Sequence, residues 1–481
     1  MRYSVMMRYN RVASGPPRYS ERAERSHTTF FRDRSGNVAM VFALMAVVLM
    51  LAVGAAVDFG RWLHARDQTL GAVDAGLLAG GRWLQTSPND NAGAIAAAQS
   101  VYTQNIATRL PVLSDNVSFA VSSDGMSLTA SGTAYIQTPF LQLAGIAKLP
   151  LISQGQQPIA TAKLAVGGNG GTNLEVSMML DITGSMLNTS ASGNTKIQDL
   201  ITSATDLVNI VVWADQSQYT SKVAIAPFTE DISLPNTTAI NAARGTGHPT
   251  SKKVSGTTYH LSDCVVERIG TQKYTDAAPG TNQYVMGHYT TSSTGSGSTK
   301  KGVCVVASPV QPLTSDKPTL LNAISSLKAG GGTAGHLGTA WAWYTLSPNW
   351  NSLWPSNGAA AYGSTNLQKI AILMTDGDYN TQYDSNGISV NQVATSSTSC
   401  PQAANGCSGV QASSLCSAMK AAGITIYTVG FTIPSSDTTA INLLTQCASD
   451  PGKFYSAADG TQLQQAFRDI AIKLSSLYLS Q

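Results

Sequence analysis

"LEVSMMLDITGSML" (174–187) is a largely apolar run that ends in three oxygen-bearing side chains at alternate positions, Asp181, Thr183 and Ser185. Such a run suits a strand covered on both faces, as in parallel sheets. The sequence that follows supports that reading. "KIQDLITSATDLVNIVVWA" (196–214) has helical periodicity, "SKVAIAPF" (221–228) reads as a strand and "KPTLLNAISSLKA" (317–329) as a helix. "QKIAILMTD" (368–376) and "ITIYTVGF" (424–431) are further strands, separated by the helical "ASSLCSAMKAAG" (412–423), and "TQLQQAFRDIAIKLSSLYL" (461–479) reads as a closing helix. Strands alternating with helices predict an α/β unit over 174–481, a doubly wound parallel sheet with helices on both faces. Ligands in such sheets sit beyond the carboxyl ends of the strands, which is where Asp181 falls.

Two other segments end in oxygen donors at the same predicted edge: "AGGGTAGH" (329–336) with Thr333, and "AILMTDGDYN" (371–380) with Asp376. A hard divalent cation takes about six oxygens and retains several waters. Asp181 and Asp376 would neutralise it, and Thr183, Ser185 and Thr333 would add uncharged donors. The expected ion is Mg2+ or Mn2+, with Ca2+ as a further option. Between about 231 and 316 lies a Ser/Thr/Gly-rich insertion of low periodicity. Its "TTSSTGSGSTKKG" (290–302) lacks the spacing of a phosphate loop and reads as an exposed loop.

The rest of the chain points to a membrane anchor with an exported domain. Only 12% of the 481 residues are charged and the net charge is +3, which gives no electrostatic basis for nucleic-acid binding. Positive charge is concentrated before residue 36, in a basic leader (1–36). The uncharged "VAMVFALMAVVLMLAVGAAV" (38–57) follows, and as a helix it spans roughly 30 Å, the thickness of a bilayer core. A transmembrane helix over 37–57 is expected; a cleaved signal is the rival, but its apolar part would be shorter. Arginines on the leading side place the N-terminus in the cytoplasm and everything after Asp58 outside. Residues 58–166 read as a small α+β stalk: a helix continuing from the membrane, a turn at 86–88, a second helix capped by Asn89 or Asp90, then short alternating strands. The glycine-rich 167–173 reads as a linker.

All six cysteines, Cys264, Cys304, Cys400, Cys407, Cys416 and Cys447, fall on the exported side, as expected of disulfides. Cys264 and Cys304, both within the insertion, form one expected pair. Cys416 with Cys447 and Cys400 with Cys407 form the others, although six cysteines allow many connectivities.

The order D-x-T-x-S, distant Thr, T-D-G resembles the metal-ion-dependent adhesion site (MIDAS) of von Willebrand factor A domains. The usual first motif is D-x-S-x-S; here Thr183 keeps the hydroxyl. "SGNVAMVFAL" (35–44) with "AVDFGRWLHARDQTLGAVDAGLLAGG" (56–81) resembles the N-terminal segment of tight-adherence (Flp-type) pilus-assembly proteins. "CVVERIGTQKYTDAAPG" (264–280), "GGTAGHLGTAWAWYTLSPNWNSLWP" (331–355) and "LMTDGDYNTQY" (373–383) are similar to the TadG-like members. These resemblances imply a non-enzymatic protein anchored in a bacterial inner membrane, its bulk periplasmic, that binds acidic residues of pilus-assembly or envelope partners through a metal. Processed pilins carry Glu at the fifth residue of the mature helix. After Gly36 that residue is Val41, which favours a retained anchor.

Competing readings attach to several residues. The 181–185 pattern is also that of a helix cap. His336 is a possible fifth ligand but more naturally packs or caps, and Asp378 reads as a solvated loop residue. Trp341, Trp343, Trp350 and Trp354 suit either a docking surface or a core. A Mg-dependent phosphoryl-transfer enzyme with Asp181 as nucleophile is the main functional alternative; a structural envelope protein with a vestigial site is another.

Overall fold

The strand Asn173–Asp181 lies near the middle of a six-stranded sheet, and the rest of the larger domain is arranged about it. A computed structural model describes residues 35–480 apart from 88–89, 124–126, 153–154, 156, 169–171, 214–215 and 392–399. Most of the basic leader and residues 169–171 of the glycine-rich linker therefore lie outside the described residues.

Across the sheet the strands run Gln311–Thr314, Ser221–Phe228, Asn173–Asp181, Leu367–Thr375, Thr425–Phe431 and Phe454–Ala457. Neighbours pair in parallel except Gln311–Thr314, an antiparallel edge strand, so the sheet is mixed rather than wholly parallel. Side chains alternate between two buried layers. Val176, Met178 and Leu180 pack with Leu200, Leu207 and Phe467 of the helices Lys196–Val211 and Gly460–Leu474. Met179, Ala371 and Leu373 face the helices Gly335–Leu346 and Ser408–Ala421. Lys196–Val211 starts at a capping box: Thr195 and Gln198 satisfy each other's backbone N–H groups. Its buried Leu200, Ala204, Leu207, Val208 and Val211 recur at helical spacing.

The four tryptophans belong to the core. Trp341, Trp343, Trp350 and Trp354 are all buried, and Tyr344 stacks on Trp350 with ring centroids 3.8 Å apart. The insertion is folded rather than irregular. It carries the helix Thr237–Arg244 and a three-stranded antiparallel sheet of Ser251–Val254, Thr257–Arg268 and Val285–Thr290. Even the Ser/Thr/Gly segment pairs Ser293–Thr294 with Lys301–Gly302. Disulfides join Cys264 to Cys304, Cys400 to Cys407 and Cys416 to Cys447.

Towards the N-terminus, one helix runs from Ser35 to Thr86, and a second, Asn91–Ile106, starts where Asp90 Oδ1 accepts from Gly93 N at 2.9 Å. The first is long and apolar enough to cross a membrane. Both pack on a sheet of Ser118–Val121, Ser127–Ser131 and Ala160–Gly168. A fourth strand comes from the other end of the chain. The expected closing helix stops at Leu474, and Ser475–Ser480 pairs antiparallel with Ala160–Gly168. An unpaired sheet edge satisfies the backbone of that segment, which a frayed helical turn would leave to water.

Candidate metal centre

Asp181 ends its strand fully buried. Its Oδ1 accepts from the Thr183 backbone N–H at 2.9 Å and from Thr183 Oγ1 at 2.7 Å, and its Oδ2 accepts from Thr375 Oγ1 at 2.7 Å. Thr183 Oγ1 lies 3.0 Å from Ser185 Oγ, which donates to Asp376 Oδ1 at 2.6 Å. The parallel register that sets Leu180 beside Met374 brings the two carboxylates to one edge. Four of the five expected residues thus form one continuous chain of oxygens.

Thr333 reaches this edge by its backbone. Its loop crosses the strand ends, with Gly330 N donating to Ile182 O and Gly184 N to Gly331 O, both at 2.9 Å. Gly331 has φ +80, a backbone open to glycine, and a Cβ there would come within 2.5 Å of Val305. Thr333 O accepts from Asn380 N at 2.9 Å, while Asn380 Oδ1 accepts from Thr333 N at 2.9 Å. Glu230 Oε2 accepts from Gly332 N.

Burial, and then the charge of Asp376, pushes Asp181 up to about 7, against the pull of the hydrogen bonds from Thr183 and Thr375. The donor set suits a hard cation: two carboxylates and two hydroxyls, all oxygen. For ligands about 2.1 Å from a metal, adjacent oxygens of an octahedron are about 3 Å apart, comparable with the spacings along this chain. A positive group already stands at its end, where Lys196 Nζ meets Asp376 Oδ2 at 2.9 Å.

Two residues of this centre, Thr375 and Lys196, were not among the sequence candidates. Thr375 was visible as the first letter of T-D-G; Lys196 follows a helix cap, with nothing local to mark it. His336 is directed elsewhere: Nε2 lies 2.7 Å from Glu267 Oε2 and Nδ1 2.5 Å from Ser408 Oγ, all buried. Asp378 is half-buried rather than solvated, and burial together with Asp437 pushes it up to about 6.

This sheet, with its oxygen-lined edge, is that of a von Willebrand factor type A domain, and residues 298–469 match the model of that domain. The match begins inside the insertion, so Asp181, Thr183 and Ser185 lie outside it. Residues 36–83 match the Flp pilus-assembly TadE/G-like model, so the chain joins a TadE/G-like segment to a von Willebrand factor A domain. No curated protein matches the sequence. Among solved structures, the vWF domain of the type V pili tip protein Mfa5 from Porphyromonas gingivalis is 14% identical, with a TM-score of 0.34, over 62% of this chain and 94% of that one. The pilus adhesin RrgA from Streptococcus pneumoniae is 11% identical, with a TM-score of 0.38, over 76% and 50%. Proximal thread matrix protein 1 from the mussel byssus, with a zinc-occupied MIDAS motif, is 11% identical, with a TM-score of 0.29, over 64% and 48%. The chain spans about half the length of the last two.

Proposed function

We propose that this protein is anchored in the inner membrane, with its N-terminus cytoplasmic and its A domain periplasmic, and serves pilus assembly or envelope anchoring. It grips an acidic side chain of a pilus-assembly or envelope partner through one divalent cation. The oxygen chain from Asp181 through Thr183 and Ser185 to Asp376 carries this reading. Asp181 and Asp376 supply the charge, Thr183 and Ser185 the neutral donors, and Thr333 a further hydroxyl from the glycine loop. Mg2+, Mn2+ and Ca2+ all suit oxygen donors of this kind. When bound, the cation supplies an electrophile for an incoming carboxylate. Thr375 orients Asp181, and Lys196 balances Asp376 until the cation enters.

The reading is tested with the full chain in nanodiscs, by capture of envelope proteins in Mg2+ and in chelator. Capture should disappear with chelator and with Asp181→Ala, while circular dichroism stays unchanged. Chelator-insensitive capture would overturn it.

A further inference from the structure

Between Val38 and Val57 the long helix is exposed almost throughout, and Gly54 is the one buried residue. What buries it is Phe140. A Cβ at Gly54 would lie 2.7 Å from that side chain, so the ring rests directly on the helix backbone. Phe140 belongs to the tightly folded loop 138–147. Thr138 Oγ1 donates to Ile146 O at 2.6 Å and Thr138 N to Ala147 O at 3.1 Å, and Gly145 closes the turn at φ +87. Asp58, the first charged residue after the apolar run, is buried and pins the loop. Its Oδ2 accepts from the backbone N–H groups of Phe140 and Leu141, each at 2.8 Å.

A loop held this firmly presents apolar side chains outward. Phe140, Leu143 and Ile146 are 44%, 77% and 46% exposed, and Pro139–Ala147 contains no charge. Loop and helix enclose a groove of about 570 Å3 lined by Val47, Met50, Gly54, Val57, Phe140 and Leu143. From Val57 to Val47 the helix descends about 15 Å, half of a hydrocarbon core. Aromatic and basic groups gather at the upper end. Phe59 packs on Trp62, Arg66 lies over the Trp62 ring, and Lys148 lies over Tyr135. Such residues mark a membrane–water interface.

We infer that loop 139–147 is a second membrane contact: a rigid foot sunk in the outer leaflet beside the anchor, with lipid acyl chains filling the groove. Continuity with the exposed, uncharged helix face argues for lipid as the occupant, because one apolar solvent covers both surfaces. The foot would fix how the stalk stands on the bilayer. This inference rests on the anchor reading.

The test uses the full chain in phospholipid vesicles. The six native cysteines are all in disulfides, so a fluorescent thiol label goes to Leu143→Cys, to Met45→Cys in mid-span, or to the exposed Val410→Cys. Emission from position 143 should shift to the blue and lose about half its intensity or more with lipids brominated high in the acyl chain. Position 45 should respond to deeper bromines and position 410 to neither. Gly54→Leu, which displaces Phe140, should weaken quenching at 143 and leave that at 45 intact. An unquenched label at 45 would overturn the anchor reading and the foot with it. Quenching at 45 without 143 would overturn the foot alone. In that case red emission would place the loop in water, and blue emission would place it against a second copy of the chain.

Discussion

Lys196 is paired with one of the two carboxylates proposed to hold the cation, so that cation would have to displace it. Its ammonium is 2.9 Å from Asp376 Oδ2, and its side chain is 13% exposed, so the pair is largely shielded from water. A divalent ion drawn to Asp376 meets both the repulsion of that ammonium and the work of breaking the pair. Lys196→Met keeps the apolar stem and removes the charge. It should raise metal affinity by a factor on the order of ten, equivalent to about 1.4 kcal/mol. Calorimetric titration of Mn2+ reads this directly; unchanged or weaker binding would mean that Lys196 supports the site. No sequence signal identified this residue, because it reaches Asp376 only through the docking of two distant segments. Asp181 and Asp376 were legible for the opposite reason: each stands where an apolar strand turns abruptly polar.

At the scale of elements, the helix Gly335–Leu346 with the following turn carries the load of one layer. Trp350 is fully buried and stacked on Tyr344, Trp341 lies steeply inclined beside the pair, and the Arg268 guanidinium lies 5.0 Å from the Trp350 ring. Trp350→Ala should cost about 3–5 kcal/mol, read as a lower denaturant midpoint. A docking residue would instead leave the midpoint alone and weaken only partner capture. The strands of the larger domain were readable because both faces are apolar. Those of the insertion were hidden: Thr257–Arg268 opens on exposed and half-buried, mostly polar residues and ends by burying the charged Glu267 and Arg268 beside Val265 and Val266, and its order comes from neighbouring strands and the Cys264–Cys304 bridge.

Across the whole molecule, the chain leaves the smaller unit at Gly168 and returns to it at Ser475. That last strand was unreadable locally, since a helical pattern runs into it and its partner strand lies far earlier in the chain. Ending the chain at Leu474 should leave the six-stranded sheet folded and expose Ala160–Gly168 as an edge. Limited proteolysis should then cut the smaller unit faster, with the larger domain surviving as a resistant fragment. Equal cleavage of both chains would show that the closing strand adds little.

The central claim is that one divalent cation sits among Asp181, Thr183, Ser185, Thr333 and Asp376. Its most direct test is calorimetric titration of Mg2+ and Mn2+ into the full chain in nanodiscs, beside Asp181→Ala and Asp376→Ala. The wild type should bind one equivalent, and each variant should lose about 100-fold or more in affinity, beyond what supporting residues of metal sites contribute. Both variants should keep the wild-type circular dichroism spectrum, because the apolar strands beneath are untouched. Equal uptake by all three proteins would contradict the account.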